Sequence, residues 1–109
     1  MNKMYVLTNE LSFEIAEKDL QNKVLWSEAL QETLITGDRW RVPTKEELDE
    51  MFRLHQKGIG NFKHESYWSS NGVNDFNASA KSFITGGYST SFSSKSPAPK
   101  HLVRLVRNI

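Results

Sequence analysis

Residues 39–48 read RWRVPTKEEL, and this stretch leaves the backbone less choice than any other in the chain. Thr44 followed three positions later by Glu47 is a capping box: the hydroxyl can accept from the Glu47 amide while the carboxylate reaches back to the Thr44 amide. Pro43 stands just outside, where no donor is needed and a fixed φ restricts the approach. Leu48, Met51 and Phe52 then share one helical face, and Glu46, Glu47, Asp49 and Glu50 put negative charge at the end of the helix dipole that favours it. A helix therefore starts at Thr44 and should fade before Gly58 and Gly60.

The chain has 109 residues, enough for one domain over 1–109 whose core needs neither metal nor disulfide. Fourteen basic against 13 acidic side chains argue against a polycationic nucleic-acid binder, so nucleic acid is not the expected partner. The absence of cysteine removes disulfide scaffolds, thiolate zinc sites and cysteine nucleophiles together. The opening MNKMYVLTNELSFE lacks the apolar run of a secretory signal, and no stretch approaches membrane-spanning length. The expectation is a soluble chain without membrane insertion, cytoplasmic or virion-associated.

MYVLT at 4–8 and LSFEIA at 11–16 are β-prone, the second with Leu11, Phe13 and Ile15 alternating against polar residues. Trp26, Ala29, Leu30 and Leu34 recur at helical spacing, and Gly37 follows as a C-terminal cap, which predicts a first helix over 23–35. Beyond residue 60 serine, asparagine and glycine alternate with aromatics. SYWSS at 66–70 reads as a strand, and AKSFIT and YSTSFSS flank Gly86-Gly87 as a two-residue hairpin turn would. SSKSPAPK at 93–100 reads as a loop, and HLVRLVR at 101–107 as a strand apolar on both faces, in the middle of a sheet. Strand, two helices, then several strands make the fold class α+β.

Six words in order, EIAEKDL at 14–20, WSEAL at 26–30, RWRVPTKEEL at 39–48, IGNF at 59–62, YWSS at 67–70 and VRLVR at 103–107, are similar to the bacterial and phage DUF1566 domain. That resemblance implies a C-type-lectin-like fold: first and last strands paired, two helices packed on the antiparallel sheet, and a loop-rich second half with a smaller hairpin sheet. The formylglycine-generating enzymes share the fold and a similar helix start, but they depend on cysteine, so their activity is not implied. Calcium-dependent sugar binding in this fold uses a Glu-Pro-Asn or Gln-Pro-Asp loop with a Trp-Asn-Asp strand, and neither occurs; NGVND at 71–75 lacks the proline. No metal and no cofactor is expected.

Among chemistry-bearing residues, Arg39, Arg41, Arg104 and Arg107 suit bracing better than anion binding: a guanidinium beside Trp40 or Trp68 can stack and satisfy carbonyls or Glu47. Trp40, Arg41, Pro43, Thr44, Glu47, Trp68, Arg104 and Arg107 are therefore read as the structural motif. His55, His64 and His101 are isolated in sequence, without ligand spacing, and no GxSxG elbow marks a nucleophile. No catalytic residue is assigned. Binding is expected in the loops 71–77 and 86–100, whose Gly, Ser, Asn, Tyr and Lys suit adaptable contacts, with Asn71, Asn74, Asp75, Tyr88 and Lys95 as ligand-binding candidates. The function expected is a non-enzymatic recognition module for a protein or glycan, in a phage, prophage or bacterial-surface setting. Two alternatives stay open: an enzyme or small-molecule sensor with a pocket between the helices and second-half loops near His64, Glu65 and Asp75, and a homo-oligomeric structural protein.

Overall fold

A computed structural model describes residues 4–74, 77–92 and 99–109. It is an α+β structure in the order β1 (Met4–Leu7), β2 (Ser12–Ile15), α1 (Trp26–Thr36), α2 (Lys45–Gln56), β3 (Ser66–Asn74), β4 (Asn77–Ser82), β5 (Tyr88–Phe92) and β6 (Val106–Asn108). The strands form two three-stranded antiparallel sheets, β1-β2-β6 and β3-β4-β5. The last strand pairs with β2 rather than with the first strand as expected. Burial explains the choice: Phe13 and Ile15 of β2 are fully buried, whereas Tyr5 and Leu7 of β1 are exposed, so β2 takes the central place.

The second helix forms as its cap dictates. The Thr44 hydroxyl accepts from the Glu47 amide at 3.2 Å, and Glu47 Oε1 accepts from the Thr44 amide at 2.8 Å. Glu47, Leu48 and Met51 are its buried face. The first helix begins at Trp26 rather than residue 23, because Val24 is drawn into an extended bridge with His101. Glu28 accepts from the Leu25 amide at 2.8 Å, half a capping box, since Leu25 has no oxygen to return the bond. Gly37, at φ 70°, closes α1 by donating to the Thr33 carbonyl.

Segment 101–107 is strand only at its end, and it joins the sheets instead of lying in the middle of one. Leu102 bonds to β3 through the Ser66 carbonyl and the Trp68 amide, while the His101, Val103 and Leu105 carbonyls accept from Val24, Leu20 and Ala16. Its apolar faces do alternate: Leu102 and Val106 enter a core with Phe13, Leu48, Met51, Tyr67 and Phe83, and Val103 and Leu105 enter another with Ala29, Val42 and Trp68.

In the second half the loops are shorter than expected. Residues 71–74 continue β3 through register shifts around Gly72, and 77–82 is β4, so 71–77 is mostly strand. The turn before β5 is not a two-residue Gly86-Gly87 hairpin. It spans 83–87, with Ser82 amide bonded to the Gly87 carbonyl and Ser82 Oγ accepting from Ile84 and Thr85. Side-chain capture by Ser82 favours the longer turn. The loop expected at 93–100 falls largely outside the described residues.

Candidate functional site

Of the expected binding residues, Asn71 and Tyr88 both meet the start of α2. Asn71 Oδ1 accepts from the Lys45 amide at 3.0 Å, covering an orphan donor in the first turn of α2. Tyr88 Oη donates to the Lys45 carbonyl at 2.7 Å and lies 2.6 Å from Asp49 Oδ1. Buried Lys81 completes this corner, 3.0 Å from Asp49 Oδ1, bonded to the Gly86 carbonyl, and set over the rings of Tyr88 and Phe52. Asn71 and Tyr88 thus latch α2 to the second sheet, although Tyr88 keeps 39% of its surface exposed. Asn74 lies at the other end of that sheet, where its backbone pairs with Asn77, which pairs in turn with Phe92; the Lys81–Tyr88 pair is about 13 Å away along the strand. Asp75 and Lys95 lie outside the described residues.

The structural motif is engaged in bracing. Arg41 makes a two-pronged contact with Glu47, 2.6 Å on each side, and reaches Asn108. Pro43 is buried, and its carbonyl accepts from Ser70. Trp68 is buried, and its Nε1 donates to the Val24 carbonyl at 2.7 Å. Trp40 is half-buried and carries the Arg107 guanidinium 4.4 Å above its ring, while Arg107 Nε donates to Glu14. Arg41 is thus not the arginine that stacks on Trp40. Arg39 is exposed at φ 65° in the turn after α1.

A concave surface lies between residues 17–21 and 59–63, a cleft of about 740 Å³. Its floor is Arg104, 1% exposed, which sequence reading assigned to bracing without naming its partners. Arg104 Nε donates to Asp19 Oδ1 at 2.8 Å, Nη1 to the Gly60 and Ala16 carbonyls, and Nη2 to the Asn61 carbonyl. The guanidinium lies 4.4 Å over the Phe62 ring. Asp19 Oδ2 accepts from the Tyr67 hydroxyl at 2.8 Å, and Tyr67 Oη in turn accepts from the Lys63 amide at 3.0 Å. Burial, reinforced by the Asp19 hydrogen bond, pushes the Tyr67 phenol well above its ordinary value, so it stays protonated at neutral pH.

The walls mix Glu17, Lys18, Gln21 and Lys63 with Leu20 and Ile59. The 59–63 wall needs glycine: Gly60 sits at φ 99°, and a Cβ there would lie 2.4 Å from the Phe62 ring. Asp19 sits within the word EIAEKDL, but nothing local could tell it from a surface carboxylate, because its cation lies 85 positions away.

The histidines isolated in sequence are not isolated in space: His55, in the last turn of α2, and His64 face each other across 3.4 Å. No family model matches the chain. No curated protein matches it significantly. Among the described residues no helix is long and apolar enough to cross a membrane.

Proposed function

We propose that this chain is a non-enzymatic recognition module on a C-type-lectin-like scaffold of the DUF1566 kind, serving a phage, prophage or bacterial-surface assembly. Supporting the scaffold are the six ordered sequence words and the element order, in which a first hairpin, two helices and a second antiparallel sheet precede a last strand that returns to the first sheet. The partner is a protein that lays an extended segment into the cleft between 17–21 and 59–63.

The observation that carries this reading is the bonded state of the cleft floor. Arg104, Asp19 and Tyr67 spend their polar atoms on one another, on backbone carbonyls and on the Lys63 amide, so the floor is preorganised, suited to shape rather than to proton transfer. The walls favour peptide over sugar: their side chains are aliphatic and of both charges, and none of the described lining residues is aromatic.

Lys18→Glu, Ile59→Asp and Lys63→Glu together should abolish partner cross-linking from a photoreactive residue at position 21, with the circular dichroism unchanged. A second reading keeps the expected hairpin surface, favoured by the register that gathers Asn74, Asn77 and Phe92 at one end of the sheet. Asn74→Ala, Asp75→Ala and Lys95→Ala together separate the two: loss of cross-linking here, with the rim variant unaffected, moves the interface to that end. Retention by both variants rejects both surfaces, and capture on an oligosaccharide array would make the ligand a glycan.

A further inference from the structure

His55 and His64 come from unlike elements, a helix end and an irregular segment, yet both are held in place by surroundings that do not depend on their own contact. His55 is in the last turn of α2, with its ring against those of Phe83, Phe62 and Phe52 at centroid distances of 5.5, 6.2 and 6.3 Å. Its Nε2 is the nitrogen turned to His64, and in the neutral imidazole with the proton on Nδ1 it carries a lone pair.

The segment that carries His64 is anchored on both sides. Arg104 holds the Gly60 and Asn61 carbonyls, buried Phe62 pins the backbone, the Lys63 amide bonds to Tyr67, and the Glu65 carbonyl accepts from the Phe83 amide. His64 itself is exposed, so the pair opens to solvent on one side and to aromatic rings on the other.

The separation has chemical content. At 3.4 Å, with the rings inclined by 66°, His55 Nε2 and His64 Nδ1 are too far apart for a strong N–H···N bond. Two imidazole nitrogens bound at about 2.05 Å to a tetrahedral ion are themselves roughly 3.4 Å apart. We propose that His55 Nε2 and His64 Nδ1 form a binding site for a first-row divalent transition-metal ion such as Zn²⁺ or Cu²⁺. Imidazole donors select these ions over Mg²⁺ and Ca²⁺, which require oxygen ligands. Among the described residues no group of three or more histidines and carboxylates is available, so the ion keeps two positions in water, open to a donor from a partner.

The test is a titration of the metal-free full chain at neutral pH with Zn²⁺ and, separately, with Cu²⁺. One equivalent should bind, His55→Gln and His64→Gln should each weaken binding by about tenfold or more, and Mg²⁺ should not compete. On the unmodified chain, substoichiometric Cu²⁺ should broaden the NMR signals of His55 and His64 first, a readout that needs no variant to fold. The site is overturned if the double variant binds Zn²⁺ as tightly as the unmodified chain, or if the broadening centres elsewhere. Neither result bears on the cleft proposed above, whose rim variants leave both histidines in place.

Discussion

Arg104 shows how much one side chain can hold in this molecule. Its guanidinium is fully buried, yet it meets Asp19, three backbone carbonyls and a phenyl ring. Arg104→Ala would leave the Asp19 carboxylate buried beside unpaired carbonyls, and should cost about 3–5 kcal/mol in chemical denaturation; Arg104→Lys should recover little, since one ammonium cannot replace the fork. Trp68→Ala should cost a similar 3–5 kcal/mol or so, because the ring is buried and its N–H is used. Trp40→Ala should cost clearly less, because that ring is only half-buried. The bracing contacts of Trp40, Trp68, Arg41, Arg104 and Arg107 accord with their neighbours in sequence, whereas exposed Arg39 has no such contact described; which arginine would stack and which would be buried was not legible.

At the scale of elements, α2 is the part most fully written in local sequence. Thr44→Ala should lower stability by about 1 kcal/mol through loss of the cap, measured by urea denaturation. Glu47 extends the effect to pH. Burial alone would raise its pKa, but the hydrogen bonds from Arg41 and from the Thr44 amide outweigh it and hold the carboxyl below its ordinary 4.5. A depressed folded-state pKa stabilises the fold above 4.5 and is lost as the pH falls below it. The stability gap between the unmodified chain and Glu47→Gln should therefore shrink as acid is added. The turn at 83–87 escaped sequence reading because Gly86-Gly87 fits a two-residue hairpin equally well. Ser82 and Phe52 decide otherwise. Gly86 has φ 82°, and a Cβ there would lie 2.7 Å from the Phe52 ring, so Gly86→Ala should cost roughly 1–3 kcal/mol.

For the whole molecule, residues 101–106 are the seam between two sheets and two cores. Truncation after Lys100 removes the Leu102 bonds to β3, the β6 pairing with β2 and apolar side chains of both cores, so the shortened chain should lose cooperative unfolding in a thermal scan. Alkaline pH should act on the molecule as a unit as well. Tyr67 and Tyr88, each raised by burial and then by a carboxylate neighbour, stay protonated in the fold above pH 10 while the unfolded chain ionises. Stability should be intact below pH 10 and fall above it, less steeply in Tyr67→Phe.

By itself the sequence determined the α+β class, the cap and apolar face of α2, the stop at Gly37 and the alternation of HLVRLVR, because each is set by residues within a few positions of one another. Only the tertiary structure decided that β2 rather than β1 meets the last strand, that Asn71 and Tyr88 serve as a latch, that Asp19 and Tyr67 complete the floor under the cleft, and that His55 finds His64. Those pairings join residues from nine to more than ninety positions apart, and what selects them is the burial of whole faces against one another, which no local pattern encodes.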